Sequence, residues 1–130
     1  MVQAYESLTK DDLHQMADRL LSGESAAIEA GVSFFEASTK GLWHNRARAM
    51  MARRFKHCQL EEVQQRRLVS CILKRLLGGE SAEQFRDQLR LGLHLDAPRF
   101  FGAASVLAND PRRYMSRLAG WILDHDKKGQ

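Results

Sequence analysis

The stretch from Lys40 to Arg75 carries the strongest chemical signal in the chain. It holds ten basic and two acidic side chains, a net +8, while residues 1–39 carry −5 and residues 76–130 carry +1. At 3.6 residues per turn, Arg46, Arg53 and His57 share one helical stripe, and Arg48 and Lys56 form a neighbouring one. Arg54 falls nearer the apolar side, where a guanidinium stacks or hydrogen-bonds rather than standing free. Arg66, Arg67, Lys74 and Arg75 would extend the basic surface onto the next helix. Such a face suits an acidic protein surface or a phosphate backbone. It would equally suit the acidic first third of the same chain, and composition leaves both open.

A second polar cluster follows. Gln84, Arg86, Asp87, Gln88 and Arg90 crowd one helix around Phe85, Leu89 and Leu93. Asp87 and Arg90, at i and i+3, can pair for a few tenths of a kcal/mol. Asp87 could also neutralise Arg54 or Arg46 from across the helix stack. Dense polar groups on an internal helix serve either inter-helix hydrogen bonds or a binding face. The candidate binding residues are therefore Arg46, Arg53, Arg54, Lys56, Gln84 and Arg90.

Other chemistries find little support. No two of His14, His44, His57, His94 and His125 stand at i and i+4, and neither His-Glu-x-x-His nor Cys-x-x-Cys occurs, so no metal site is expected. His57 and Cys58 diverge by about 100° on a helix and cannot easily face one ion. Cys58, beside Arg53, Arg54, Lys56 and His57, is a better nucleophile candidate than Cys71, but burial would make it inert. Both thiols read as free and structural. Gly78-Gly79-Glu80-Ser81 and Gly23-Glu24-Ser25 open helices, yet each places a glutamate where a phosphate would sit. Asp11-Asp12 and Glu61-Glu62 fit first turns, where carboxylates complement the helix dipole. No catalytic residue and no cofactor is expected.

The elements that position these groups read as helices throughout, because apolar residues recur at three and four and nothing alternates. Thr9 caps a first helix, with Asp12 as box partner and Leu13, Met16, Ala17, Leu20 and Leu21 inward. Ser22-Gly23 ends it. A second helix spans about 24–37, burying Ala27, Ile28, Gly31, Phe34 and Phe35. A third spans about 42–57, with Trp43, Ala47, Met50, Met51, Arg54 and Cys58 on one side and Arg48, Ala52 and Lys56 opposite. A fourth spans about 60–77, with Val63, Leu68, Ile72, Leu73, Leu76 and Leu77 inward, and Gly78-Gly79 stops it. Ser81 caps a fifth to Leu93, with Gln84 at the reciprocal position. Asp96 and Pro98 start a sixth, to about 108. Asp110-Pro111 starts a seventh, to about 124. Trp43, Tyr114 and Trp121 are expected in the core. Were Trp43 and Phe100-Phe101 exposed, they would mark a partner surface.

Residues 19–26, Arg-Leu-Leu-Ser-Gly-Glu-Ser-Ala, recur at 75–82 as Arg-Leu-Leu-Gly-Gly-Glu-Ser-Ala, at an offset of 56. Seven of eight positions agree, which suggests two helix–turn–helix units. With Trp43, Arg46, Ala47, Ala49 and Met50 in one helix and Arg113, Tyr114, Leu118, Ala119 and Trp121 in another, the pattern over about 9–125 resembles HEAT-type α-helical repeats. The resemblance implies a scaffold that binds protein or nucleic acid on a curved face.

With 130 residues, 44% hydrophobic and 28% charged, the chain can bury a core without metal or disulfides. The composition excludes disorder and collagen, and no apolar run is long enough for a membrane span. The start lacks a signal pattern, which suggests a cytoplasmic protein. The expected architecture is a single all-α domain over 1–130. Six or seven short helices would stack as hairpins, with 1–8 and 126–130 frayed. The expected role is a non-enzymatic protein-interaction module whose basic face takes an acidic protein surface. The alternative is a nucleic-acid binder using the same face. The pI of 9.4 allows this, although no nucleic-acid-binding motif is present.

Overall fold

The structure is a computed structural model describing residues 5–37, 39–80 and 82–128, with side chains described as far as 125. The described residues are all-helical: α1 (Lys10–Arg19), α2 (Ser25–Glu36), α3 (Leu42–Phe55), α4 (Glu62–Leu77), α5 (Phe85–Leu107) and α6 (Arg113–Lys128).

Local signals set the helix ends. Thr9 and Asp12 close the expected capping box: the Thr9 hydroxyl accepts from the Asp12 amide at 3.2 Å, and the Asp12 carboxylate accepts from the Thr9 amide at 2.9 Å. These bonds hold the Asp12 carboxyl below its ordinary pKa, the backbone bond contributing most. α1 tightens into a 3₁₀ turn, Leu20–Ser22, and stops at Gly23, whose φ of +73° is left-handed. Gly79, φ +88°, follows α4 in the same way. Asp110 starts the turn into α6 by accepting from the Arg112 amide at 2.8 Å.

The two expected helices between 82 and 108 form one element, α5, broken by non-helical angles at Asp96. Pro98 lies just after the break, where it forfeits no needed donor. Gly92 and Phe100 explain how the two halves approach: a Cβ on Gly92 would overlap the Phe100 ring. The Ser81 cap lies outside the described residues. Residues 82–84 form a turn, so the helix begins at Phe85 rather than Ala82. At the other end α6 runs to Lys128, past the expected stop at Asp124. Residues 5–8 also depart from the frayed end expected there. Tyr5 lies in a helical turn and packs edge-on against Phe34 at 5.7 Å. Residues 1–4, 129 and 130 lie outside the description.

α5 occupies the middle, packed against α3, α4 and α6, while α1 packs on α3 and α2 on α4. Phe34, Phe35, Phe55, Phe100, Met51 and Leu76 are among the fully buried side chains. Burying such residues supplies most of the drive to fold. Five expected core residues are exposed instead: Leu21, Trp43, Val63, Leu77 and Tyr114. Leu20 and Leu76 point inward, and the next residue is turned about 100° away, so only one leucine of each pair reaches the core. α3 departs from a one-faced amphipathic pattern. α1 and α5 both pack on it, so Ala47, Met51 and Ala52 are all buried, and Arg48 is buried with them.

Candidate functional site

The six candidate binding residues do not line one free basic face. Arg53 and Arg90 converge on Asp87, at 2.7 and 3.0 Å. Asp87 therefore pairs with Arg53, not with Arg54 or Arg46. Arg54 instead reaches back to Asp18 at 2.9 Å. Lys56 is the C-terminal cap residue of α3. Gln84 lines a separate cleft, described below. Arg46 lies over the ring of Trp43. The acidic first third takes part of the basic segment in the same way. Arg67 on α4 bridges Glu29 at 2.9 Å and Glu36 at 2.6 Å, both on α2. Its hydrogen bond holds the Glu29 carboxyl below its ordinary pKa, helped by Gln64.

Two places bring cations without an ion pair together, and α3 contributes to both. The first is a groove of about 360 Å³ between α1 and α3. Leu13, Ala47 and Met50 form its apolar part, and Lys10, His14, Trp43 and Arg46 its polar edge. Trp43, expected in the core, is 41% exposed. The Lys10 ammonium stands 4.3 Å from the ring centroid and the Arg46 guanidinium 5.0 Å, both within cation–π range. Among the described residues neither cation has a carboxylate within ion-pair distance. Phe100 is fully buried and Phe101 half-buried, so they add nothing to this surface. Tyr114 is exposed, with its hydroxyl donating to the Gly79 carbonyl at 3.3 Å, and Trp121 is half-buried beneath Arg86 and Arg90.

The second place is a cleft of about 370 Å³ where α3, α4 and α5 meet the end of α2. Arg48, 4% exposed, donates to the carbonyls of Ala37 and Thr39, to the Thr39 hydroxyl at 3.0 Å and to Asn45 Oδ1 at 2.9 Å. The Thr39 hydroxyl is also bonded to His44 Nδ1 at 2.8 Å. Arg75 donates to the Phe35 and Ala37 carbonyls and to Gln88 Oε1 at 2.9 Å. Two guanidiniums thus meet at the carbonyl end of α2, where the helix dipole favours cations. Neither has a carboxylate within ion-pair distance among the described residues. Burial, joined by the neighbouring Arg75 charge, lowers the Arg48 pKa to about 10, and burial also lowers that of Arg75.

Periodicity placed Arg48 and Arg75 outward, so the cleft was not foreseen as a site. The available cue was small residues on more than one side of α3, at Ala47, Ala49 and Ala52. They let neighbouring helices approach from more than one direction and enclose whatever lies between.

Cys58 and Cys71 are free and half-buried, and burial pushes both thiols up, away from the reactive thiolate form. Among the described residues no group of three or more His, Cys, Asp or Glu side chains is placed to hold a metal ion. No helix among them is long and apolar enough to cross a membrane. No family model matches the chain, and no curated protein or solved structure matches it.

Proposed function

We propose that this protein is a non-enzymatic protein-interaction module, cytoplasmic, whose α1–α3 face binds an acidic partner segment. The observation that carries the reading is the exposed Trp43 ring under two unpaired cations, Lys10 and Arg46, beside an apolar groove. Exposed tryptophan and arginine are the residue types that dominate interface energies. The cations favour aspartate or glutamate in the partner, and the Leu13–Met50 floor favours one apolar anchor. Of the candidate residues, Arg46 contacts the partner. Arg53, Arg54 and Arg90 enter this reading as structural, because each already holds a carboxylate, Asp87 for Arg53 and Arg90 and Asp18 for Arg54.

A HEAT-like stacking belongs to the same proposal. Its support is the internal echo: Leu20 and Leu76 are buried, Leu21 and Leu77 exposed, and Gly23 and Gly79 left-handed. After the glycine the units diverge, since α2 starts at Ser25 while α5 waits until Phe85.

The test is selection from a randomised peptide library, followed by titration of the selected peptides into wild type, Trp43→Ala and Arg46→Glu. Selected sequences should be acidic with one apolar residue, and both variants should weaken them about tenfold or more. A single-stranded oligonucleotide of equal charge is the counter-probe. Tighter oligonucleotide binding, falling steeply with salt, would replace this reading with nucleic-acid binding. Peptide binding indifferent to both substitutions would remove the face from consideration.

A further inference from the structure

We propose that the cleft around Arg48 and Arg75 is a binding site for a small oxyanion, the carboxylate or phosphate group of a metabolite-sized molecule. The argument rests on which hydrogen-bonding groups remain unengaged. An arginine cannot accept a hydrogen bond, so Asn45 and Gln88 must turn their amide oxygens toward Arg48 and Arg75. Both amide nitrogens are left as donors with no protein acceptor among the described residues. Arg75 also engages only one hydrogen of its Nη1. The Thr39 hydroxyl is already committed to Arg48 and His44. Apart from the Gln84 amide, which can donate or accept, what these neutral side chains offer a ligand is therefore donors.

Charge points the same way. Lys40, Arg48 and Arg75 line the cleft, against one carboxylate, Glu80. The α2 carbonyl end contributes about half a negative charge, too little to balance two guanidiniums. Glu80 is exposed and already accepts from the Ala82 amide at 3.0 Å. It makes no ion pair with either arginine. A volume of about 370 Å³ lies at the small end of ligand sites. An oxyanion can accept from the separate donors of Asn45, Gln88 and Arg75 at once, and hydrogen bonds to a charged group in such a setting are the strong ones.

The test uses inorganic phosphate and succinate as probes, read by calorimetry and thermal shift against chloride at matched ionic strength. Wild type should bind at least one probe at one site per chain. Phosphate alone would name a phosphoryl ligand and succinate alone a carboxylate, either of which supports the site. Gln88→Glu places a built-in carboxylate on Arg75. It should fold and lose probe binding by about tenfold to a hundredfold, the range for one hydrogen bond to a charged group. Glu80→Gln removes the competing charge and should tighten binding about threefold to tenfold. A purely structural pair of arginines predicts no such gain. Because Glu80 is exposed, that variant remains a test if Gln88→Glu does not fold. Failure of both probes to bind wild type, or an affinity unmoved in Glu80→Gln, overturns the proposal.

Discussion

Two sets of arginines hold the same helices by opposite means. Between α2 and α4, Arg67 meets Glu29 and Glu36 and matches charge with charge, partly in solvent. Next to Glu36, Arg48 and Arg75 hold the end of α2 through neutral oxygens, largely out of solvent. The first sets one guanidinium against two carboxylates. The second satisfies most hydrogen bonds and leaves both guanidiniums without a paired carboxylate among the described residues. Hydrogen-bond satisfaction and charge balance are thus separate conditions, and a site where only the first is met is disposed to take an anion.

The largest way to break this contrast is Arg48→Met. It strands the Thr39 carbonyl and Asn45 Oδ1 and leaves the Ala37 carbonyl to Arg75 alone, and should cost about 3 kcal/mol in chemical denaturation. Arg67→Met should cost about 1 kcal/mol, because its partners are partly hydrated. The two losses should respond differently to acid. Glu29 has a folded pKa below its unfolded value, so its contribution is full above the ordinary carboxylate range of about 4.3. It is lost as pH falls through the folded pKa. The gap between wild type and Arg67→Met should therefore close between about pH 4.3 and more acid conditions. The Arg48→Met gap, which rests on neutral acceptors, should persist across that window.

A smaller effect would convert one arrangement into the other. Gln88→Glu gives Arg75 a carboxylate in place of an amide, and should leave stability unchanged or raise it by up to about 1 kcal/mol without added anion. The smallest is Arg66→Gln, which removes an exposed i,i+4 pair with Glu62 at 3.5 Å. It should shift stability by no more than about 0.5 kcal/mol. A large loss there would mean that solvent-exposed pairs matter in this fold after all.

Much of the helical layout was legible because helix ends are decided by neighbours in sequence. Thr9 with Asp12, Gly23, Gly79, Asp110 and the break at Asp96 each act within about four residues. Core membership was legible where one helix face is covered, as for Leu13, Ala17 and Leu20. It failed at Leu21, Val63 and Leu77, and at Trp43 and Tyr114, because periodicity marks a face without saying how much of it a neighbouring helix covers. It failed more instructively on α3, because a single-face pattern describes a helix covered from one side, and α3 is covered from two.

The sequence by itself determined an all-helical chain, most helix ends, and a basic segment opposite an acidic one. Each of these follows from local backbone chemistry or from composition. Only the tertiary structure decided which cations are matched. The partners of Arg53, Arg54 and Arg67 lie 31 to 38 residues away in the chain, and the Phe35 carbonyl lies 40 residues from Arg75. Electrostatic pairing depends on distance in space and on burial, and neither is written in the order of residues. That is why Arg53, in the basic stripe, proved matched, while Arg48 and Arg75 became the centre of a cleft.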